Sequence, residues 1–247
     1  MADRDEILDF AHAYLDLDAY PDYGPMGMQV PGSREVSKIV CAVSSSLELF
    51  ERAAAAGADL ILVHHGLFWD GDPRALDEAR KSRLKTLFDA DITLAAYHLA
   101  LDAHPEIGNN ALLARELGIH PERRFAELGF GGRLLEPVDA EGFAERVRQA
   151  VGQDPLVFAN GPATIESAAV VTGRAGRFLP DAAREGYHAF VTGEAEEWSL
   201  QSAKELGIHY IAGGHYATET IGIKALAAKL AERFGLEWEF VDLPNPV

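Results

Sequence analysis

Three short segments of this 247-residue chain set metal-ligating side chains directly behind apolar runs. His64-His65 follows Leu60-Ile61-Leu62-Val63. His98 closes the run from Ile92 to Tyr97 and has Asp102 four residues on, and His215 has Glu219 at the same spacing. Imidazole nitrogen and carboxylate oxygen together suit borderline divalent ions such as Fe, Mn, Zn, Co or Ni, among which this donor set does not choose. A bridging carboxylate holds two such ions roughly 3.5–4 Å apart. Four imidazoles and two carboxylates therefore suffice for two divalent ions per subunit, with positions left for water or substrate. The chemistry this implies is hydrolysis by activated water.

The elements that must position these groups are strands. Leu60 to Val63 is unbroken apolar sequence, the pattern of a strand buried on both faces in a parallel sheet. The histidines then lie at the carboxyl edge, where ligands collect in open α/β sheets. Successive strand residues point to opposite faces, so a turn permitted by Gly66 is expected to bring both imidazoles to one site. His-x-x-x-Asp and His-x-x-x-Glu fall one helical turn apart if a helix begins after the strand. Around these segments, Lys38–Val43 reads as a strand and Ser44-Ser45-Ser46 as a cap for a helix over 47–56. Helices are expected over 82–90 and 109–117, the latter stopped by Gly118. Ile7, Leu8, Ala11 and Leu15 have the spacing of an opening amphipathic helix, followed by an irregular stretch from Asp18 to Ser33.

The second half of the chain repeats the first. At one constant offset, Lys38–Gly66 lies over Ser167–Ala195, setting Phe50 on Leu179, Gly57 on Gly186 and His64-His65 on Gly193-Glu194. At a second offset His98 and Asp102 lie over His215 and Glu219, and Leu117-Gly118 over Phe234-Gly235. Offsets that hold across whole strand–helix units point to duplication. The expected fold is α/β, with two similar α/β halves over 1–124 and 125–247, 125–164 as connecting segment, and a metal site in the cleft between them.

Composition narrows the function. Net charge is −17, from 39 acidic and 22 basic residues, which disfavours a nucleic-acid surface. The single cysteine, Cys41, lies in an apolar run and reads as core, excluding a disulfide framework. An acidic N-terminus leads straight into the first helix rather than a signal peptide, and no apolar run approaches the roughly 20 residues that span a bilayer. The expectation is a cytoplasmic protein without membrane association, its acidic, lysine-poor surface suited to a salt-rich interior. Gly129-Phe130-Gly131-Gly132-Arg133 matches no phosphate-loop pattern and reads as a tight turn. Glu194 is a candidate partner of the metal ligands or proton carrier, with a helix N-cap as the plainer alternative. Phe68 and Trp69 offer a stacking face or are covered by the following loop. His12, His104, His120, His188 and His209 lack the strand-end setting and read as surface or helix-end residues.

Gly57–Gly66, Tyr97–Asp102, Thr192-Gly193-Glu194, Ala212–Glu219 and Gly27-Met28-Gln29 together resemble the NGG-interacting-factor-like (NIF-like) family of dinuclear metal-centre proteins, many of which are called GTP cyclohydrolase 1 type 2 homologues. The likeness spans nearly the whole chain. It implies two α/β domains, a toroidal homohexamer, and a two-metal site with ligands at His64, His65, Asp102, His215 and Glu219; His98 is carried over as a ligand or a neighbour of one. Ser44-Ser45 departs from the pattern, where an acidic residue is common, as does Met26, where asparagine is usual. The expected function is a metal-dependent hydrolase acting on a nucleotide or phosphoester-like small molecule, with His98 and Glu194 as proton-moving catalytic residues. The alternative is a non-catalytic metal-binding, delivery or protein-interaction ring.

Overall fold

The structure is a computed structural model describing residues 1–247. The chain packs as two compact units, Met1–Leu101 with Gly222–Leu243, and Asp102–Ile221 with Pro244–Val247. Packing thus divides the chain at 101/102 rather than at 124/125, and helix Thr220–Phe234 and strand Glu237–Phe240 carry the chain back to the first unit. The reason is a strand pairing: Glu237–Phe240 runs parallel to Lys38–Ser44 in the first unit's sheet.

That sheet has five strands in the order 237–240, 38–44, 60–65, 93–96 and 27–30. Its first four are parallel and the last is antiparallel to its neighbour. Strand Gly27–Val30 lies inside the stretch expected to be irregular, and it joins the ladder by pairing Met28 with Ala95 and Val30 with Leu94 across a bulge. Alternation along the strands sends Val40, Ala42, Ile61, Val63 and Leu94 to one face. There they pack with Leu49, Phe50 and Ala53 of helix Leu47–Ala55 and with Leu87 of helix Glu78–Asp89. Both helices start at side-chain caps: Ser46 accepts from the Leu49 N–H and Asp77 from the Arg80 N–H. Such caps contribute about 1 kcal/mol each. Cys41 is buried in the sheet, and burial pushes its thiol up to about 12, so it is an inert core residue as expected.

The second unit is built on six strands in the order 123–125, 129–138, 165–170, 189–192, 209–212 and 156–158. Strands 165–170, 189–192 and 209–212 are parallel, and antiparallel strands flank them on both sides. The expected connecting segment is therefore structural, supplying two strands and the helix Ala140–Val151. Gly129–Arg133 is no tight turn but the start of the ten-residue strand Gly129–Val138. Its glycines serve close approach: a Cβ on Gly132 would stand 1.7 Å from the His120 carbonyl oxygen, and one on Gly131 2.1 Å from the Tyr187 hydroxyl. Apolar layers cover both faces of this sheet, one around Phe143, Val147, Ile165 and Ile211, the other around Leu179, Phe190, Ala203 and Tyr210. No helix in either unit is long and apolar enough to cross a membrane.

Candidate metal centre

In the first unit, strand Leu60–His65 carries His64 into the interior and leaves His65 half-buried. Their rings lie 4.7 Å apart, and the His98 ring, just past strand Thr93–Ala96, is 4.9 Å from His64 and 5.5 Å from His65. One nitrogen from each of the three lies within 4.8 Å of the others. Gly66 does help to build this corner, though not through a left-handed turn, since it is absent from the positive-φ glycines. Its lack of a side chain admits Gln29: a Cβ there would meet the Gln29 amide at 2.3 Å. The Gln29 oxygen accepts from the Leu67 N–H at 2.7 Å, and its nitrogen donates to the Pro25 carbonyl. The loop after the strand is thereby fixed.

Hydrogen bonds set the imidazole tautomers. His64 Nδ1 is 2.9 Å from the Tyr97 carbonyl oxygen, which can only accept, so the proton sits on Nδ1 and the lone pair on Nε2. His98 Nδ1 is 2.8 Å from Asp22 Oδ1. Burial pushes the Asp22 carboxyl up, but the hydrogen bond and charge of His98, with the N–H groups of Leu99 and Tyr23, outweigh it and hold the group below its ordinary value. An ionised Asp22 again places the imidazole proton on Nδ1. His65 Nδ1 meets the Ser44 hydroxyl at 2.9 Å. In all three, Nδ1 is occupied by a protein partner, the arrangement by which ligating histidines are oriented.

In the second unit the donors are mostly carboxylates. Asp102 is buried, and its Oδ1 accepts from Asn109 Nδ2 at 2.8 Å and from the Thr172 hydroxyl at 3.4 Å. Asn110 locks the same corner, donating to the Asp102 carbonyl and accepting from the Thr172 N–H at 2.7 Å. His215 opens the short helix His215–Thr218, with Glu219 just beyond it. Its Nε2 lies 3.2 Å from Glu219 Oε2 and its Nδ1 2.5 Å from Glu194 Oε1. Burial pulls the His215 imidazole down, but Glu219 and then Glu194 outweigh that effect and raise it to about 9. Gly173 makes the pair sterically feasible: at φ +65° it is already left-handed, and a Cβ would stand 2.2 Å from Glu219 Oε1 and 3.2 Å from His215 Nε2.

Both donor sets fit a borderline divalent ion in type and in orientation. The structure brings together His64, His65 and His98 in one unit, and His215, Glu194 and Glu219 in the other. It does not treat the two His-to-acid motifs alike. His215 pairs with Glu219 as its spacing predicts, whereas His98 pairs with Asp22, and Asp102 with Asn109 and Thr172. Nothing in the sequence marks Asp22, Asn109, Asn110, Thr172 or Gly173, because none stands at a fixed spacing from a ligand. Glu194 contacts His215 directly and caps no helix. Of the histidines expected as surface or helix-end residues, His104 directly follows helix Leu99–Ala103 and accepts the Glu106 and Ile107 N–H groups, whereas His209 is neither: it is buried at the start of strand His209–Ala212, and its Nε2 bonds the Pro162 carbonyl.

The fold and these strand-end donors define a mixed α/β protein of a recognised kind. The sequence model of Duf34/NIF3 (NGG1p interacting factor 3) matches residues 2–246, and the chain belongs to this family. It is 42% identical over 245 residues to the Pseudomonas aeruginosa protein named GTP cyclohydrolase 1 type 2 homolog, covering 97% of each chain. Among solved structures, protein ybgI, described as of unknown function, superposes with a TM-score of 0.96 at 41% identity, over 99% of this chain and 100% of that one. TTHA1606 from Thermus thermophilus superposes with a TM-score of 0.93 at 40% identity over the same shares.

Proposed function

We propose that this chain binds two divalent metal ions through His64, His65, Asp102, His215 and Glu219, and uses them to hydrolyse a nucleotide or phosphoester-like small molecule. The observation that carries the metal reading is the adjacent pair His64 and His65, in which each Nδ1 is engaged by a protein partner and each Nε2 is the remaining ring nitrogen. The name GTP cyclohydrolase 1 type 2 homolog, borne by relatives of about 42% identity, supports water-driven chemistry on a nucleotide.

Bound ions would supply Lewis acidity, neutralising charge at the attacked centre and activating water. The protein's own groups do the rest. His98, its Nδ1–H held by ionised Asp22, presents Nε2 as a base able to accept a proton and return it to a leaving group. Glu194 accepts from His215 Nδ1 and so turns Nε2 toward Glu219, making Glu194 a positioning residue in this reading.

The test is turnover of a panel of nucleotides and phosphoesters by apo protein and by protein loaded with each of Fe, Mn, Zn, Co and Ni. Hydrolysis that appears only on loading and is lost in His64→Ala is the expected result. A loaded protein that turns over no member of the panel contradicts the hydrolase reading. We also propose a homo-oligomeric ring of six, supported by the exposed Tyr23 and Met28. Light scattering across a salt series tests it: assembly should strengthen with salt as screening reduces like-charge repulsion, and a monomer at every salt level refutes it.

A further inference from the structure

The first unit contains a cavity of about 280 Å³ that metal binding leaves unexplained. Its wall includes Ser44, Ser45, His65, Trp69, Arg80 and Arg83. The two arginines are three residues apart on helix Glu78–Asp89 and so share a face, yet their situations differ. Arg80 is neutralised by Asp72 at 2.6 Å and donates to the Pro73 carbonyl at 2.9 Å. Asp72 in turn accepts the Trp69 N–H at 2.9 Å, which ties the tryptophan loop to that pair. Arg83 is half-buried and has no carboxylate partner, in a chain whose acidic residues outnumber its basic ones 39 to 22. Ser45 is a half-buried residue of the same wall, its backbone N–H bonded to the His65 carbonyl at 2.9 Å. Ser44 reaches His65 Nδ1 itself.

We infer that this cavity is an oxyanion subsite, in which the Arg83 guanidinium and the Ser45 hydroxyl bind the phosphate or carboxylate group of a small ligand beside His65. A guanidinium fork matches the paired oxygens of either anion and binds them with charge-assisted hydrogen bonds. Asp72 cancels the charge of Arg80, so the cavity keeps one net positive charge and suits one anionic group. Its volume falls at the lower edge of small-ligand pockets, roughly 300–1,000 Å³, so it holds the anionic end of a ligand and leaves the rest to extend past Trp69. The subsite deepens the hydrolase reading, and rests on it only for the claim that the bound ligand is a substrate.

Inorganic phosphate and malonate are titrated calorimetrically into protein as purified and into protein treated with chelator, for wild type and for Arg83→Gln, Arg83→Lys and Ser45→Ala. Binding that survives chelation is expected, weakened tenfold or more in Arg83→Gln, less in Arg83→Lys and a few-fold in Ser45→Ala, with metal content unchanged in all three. Phosphate preferred over malonate identifies a phosphorylated ligand, and the reverse a carboxylate. Thermal melts establish that each variant folds; should Arg83→Gln not fold, Arg83→Lys and Ser45→Ala decide on the same criterion. Arg83-dependent binding in a protein that holds no metal would support the subsite while removing the metal reading. Binding that vanishes on chelation, or is equal in wild type and the variants, overturns the subsite and leaves the metal reading standing.

Discussion

The two sheets of this protein share a plan and differ at their edges. Each has a run of parallel strands, four in the first and three in the second, ending on one side at an antiparallel strand that comes earlier in the chain, Gly27–Val30 in one and Leu156–Phe158 in the other. We propose that internal duplication, expected from the sequence, accounts for this likeness. Yet strand Leu60–His65 ends in two imidazoles, while its counterpart Ala189–Thr192 is followed by Gly193-Glu194. One edge supplies nitrogen donors oriented by neutral or single acidic partners; the other supplies a carboxylate that grips His215. The backbone plan fixes where donors can stand, and single substitutions at strand ends decide their kind. Ionic character follows, with His98 tied to one carboxylate and His215 clasped by two.

The contrast between the two edges is most exposed at the acids of the second unit. Glu219→Ala should lose at least one of two metal equivalents, and so should Asp102→Ala, measured by elemental analysis; full occupancy in both would remove the proposed carboxylate ligands. His215→Ala should likewise strip metal. His98→Ala should keep both ions and lower turnover by about 10²–10⁴-fold, the usual contribution of a proton-transfer group. A His98→Ala protein short of one metal equivalent would make His98 a ligand and restore the symmetry that its pairing with Asp22 breaks.

Proton competition separates the two edges further. The metal-free protein holds the His215 proton up to a pH of about 9. That contribution to stability is fully present below the ordinary value of 6.5 and is lost as pH rises through about 9. Metal must displace this proton, so affinity should climb with pH toward 9. In Glu194→Gln the climb should end at lower pH; an unchanged profile would show that Glu194 does not govern His215.

The most modest effects concern glycine. Gly173→Ala places a methyl against Glu219 in left-handed backbone, and about 1–3 kcal/mol of strain should appear together with metal loss. Gly186 has the same backbone hand, φ +82°, but open space around it. Gly186→Ala should therefore lower Tm modestly, about 2–4 °C per kcal/mol for a chain of this size, and leave metal content alone. Equal metal loss in both variants would mean that backbone strain, not the contact with Glu219, holds the site.

What was legible in the sequence was whatever local pattern dictates. The apolar run before His64 is a buried parallel strand, Ser46 caps its helix, and Asn109–Glu116 is the helix expected before Gly118. Strand Gly27–Val30 was hidden because an edge strand with a bulge and a glycine start has no clean alternation. Asp22, Asn109 and Thr172 were hidden because their roles come from hydrogen bonds to residues that no spacing rule links to them. The glycines misled in an instructive way: Gly66, Gly131 and Gly132 serve close approach rather than turning. The return of the chain through Glu237–Phe240 depends on a parallel pairing with Lys38–Ser44, and nothing in either segment names the other.

Whether the chain is a two-ion metal protein is decided by elemental analysis of protein purified without chelator and without an affinity-tag metal, beside a His64→Ala control. Close to two equivalents of divalent metal per chain are expected in wild type, with a clear deficit in the variant. Trace metal in wild type after supply of Fe, Mn, Zn, Co and Ni in turn, or equal content in the two proteins, would contradict it.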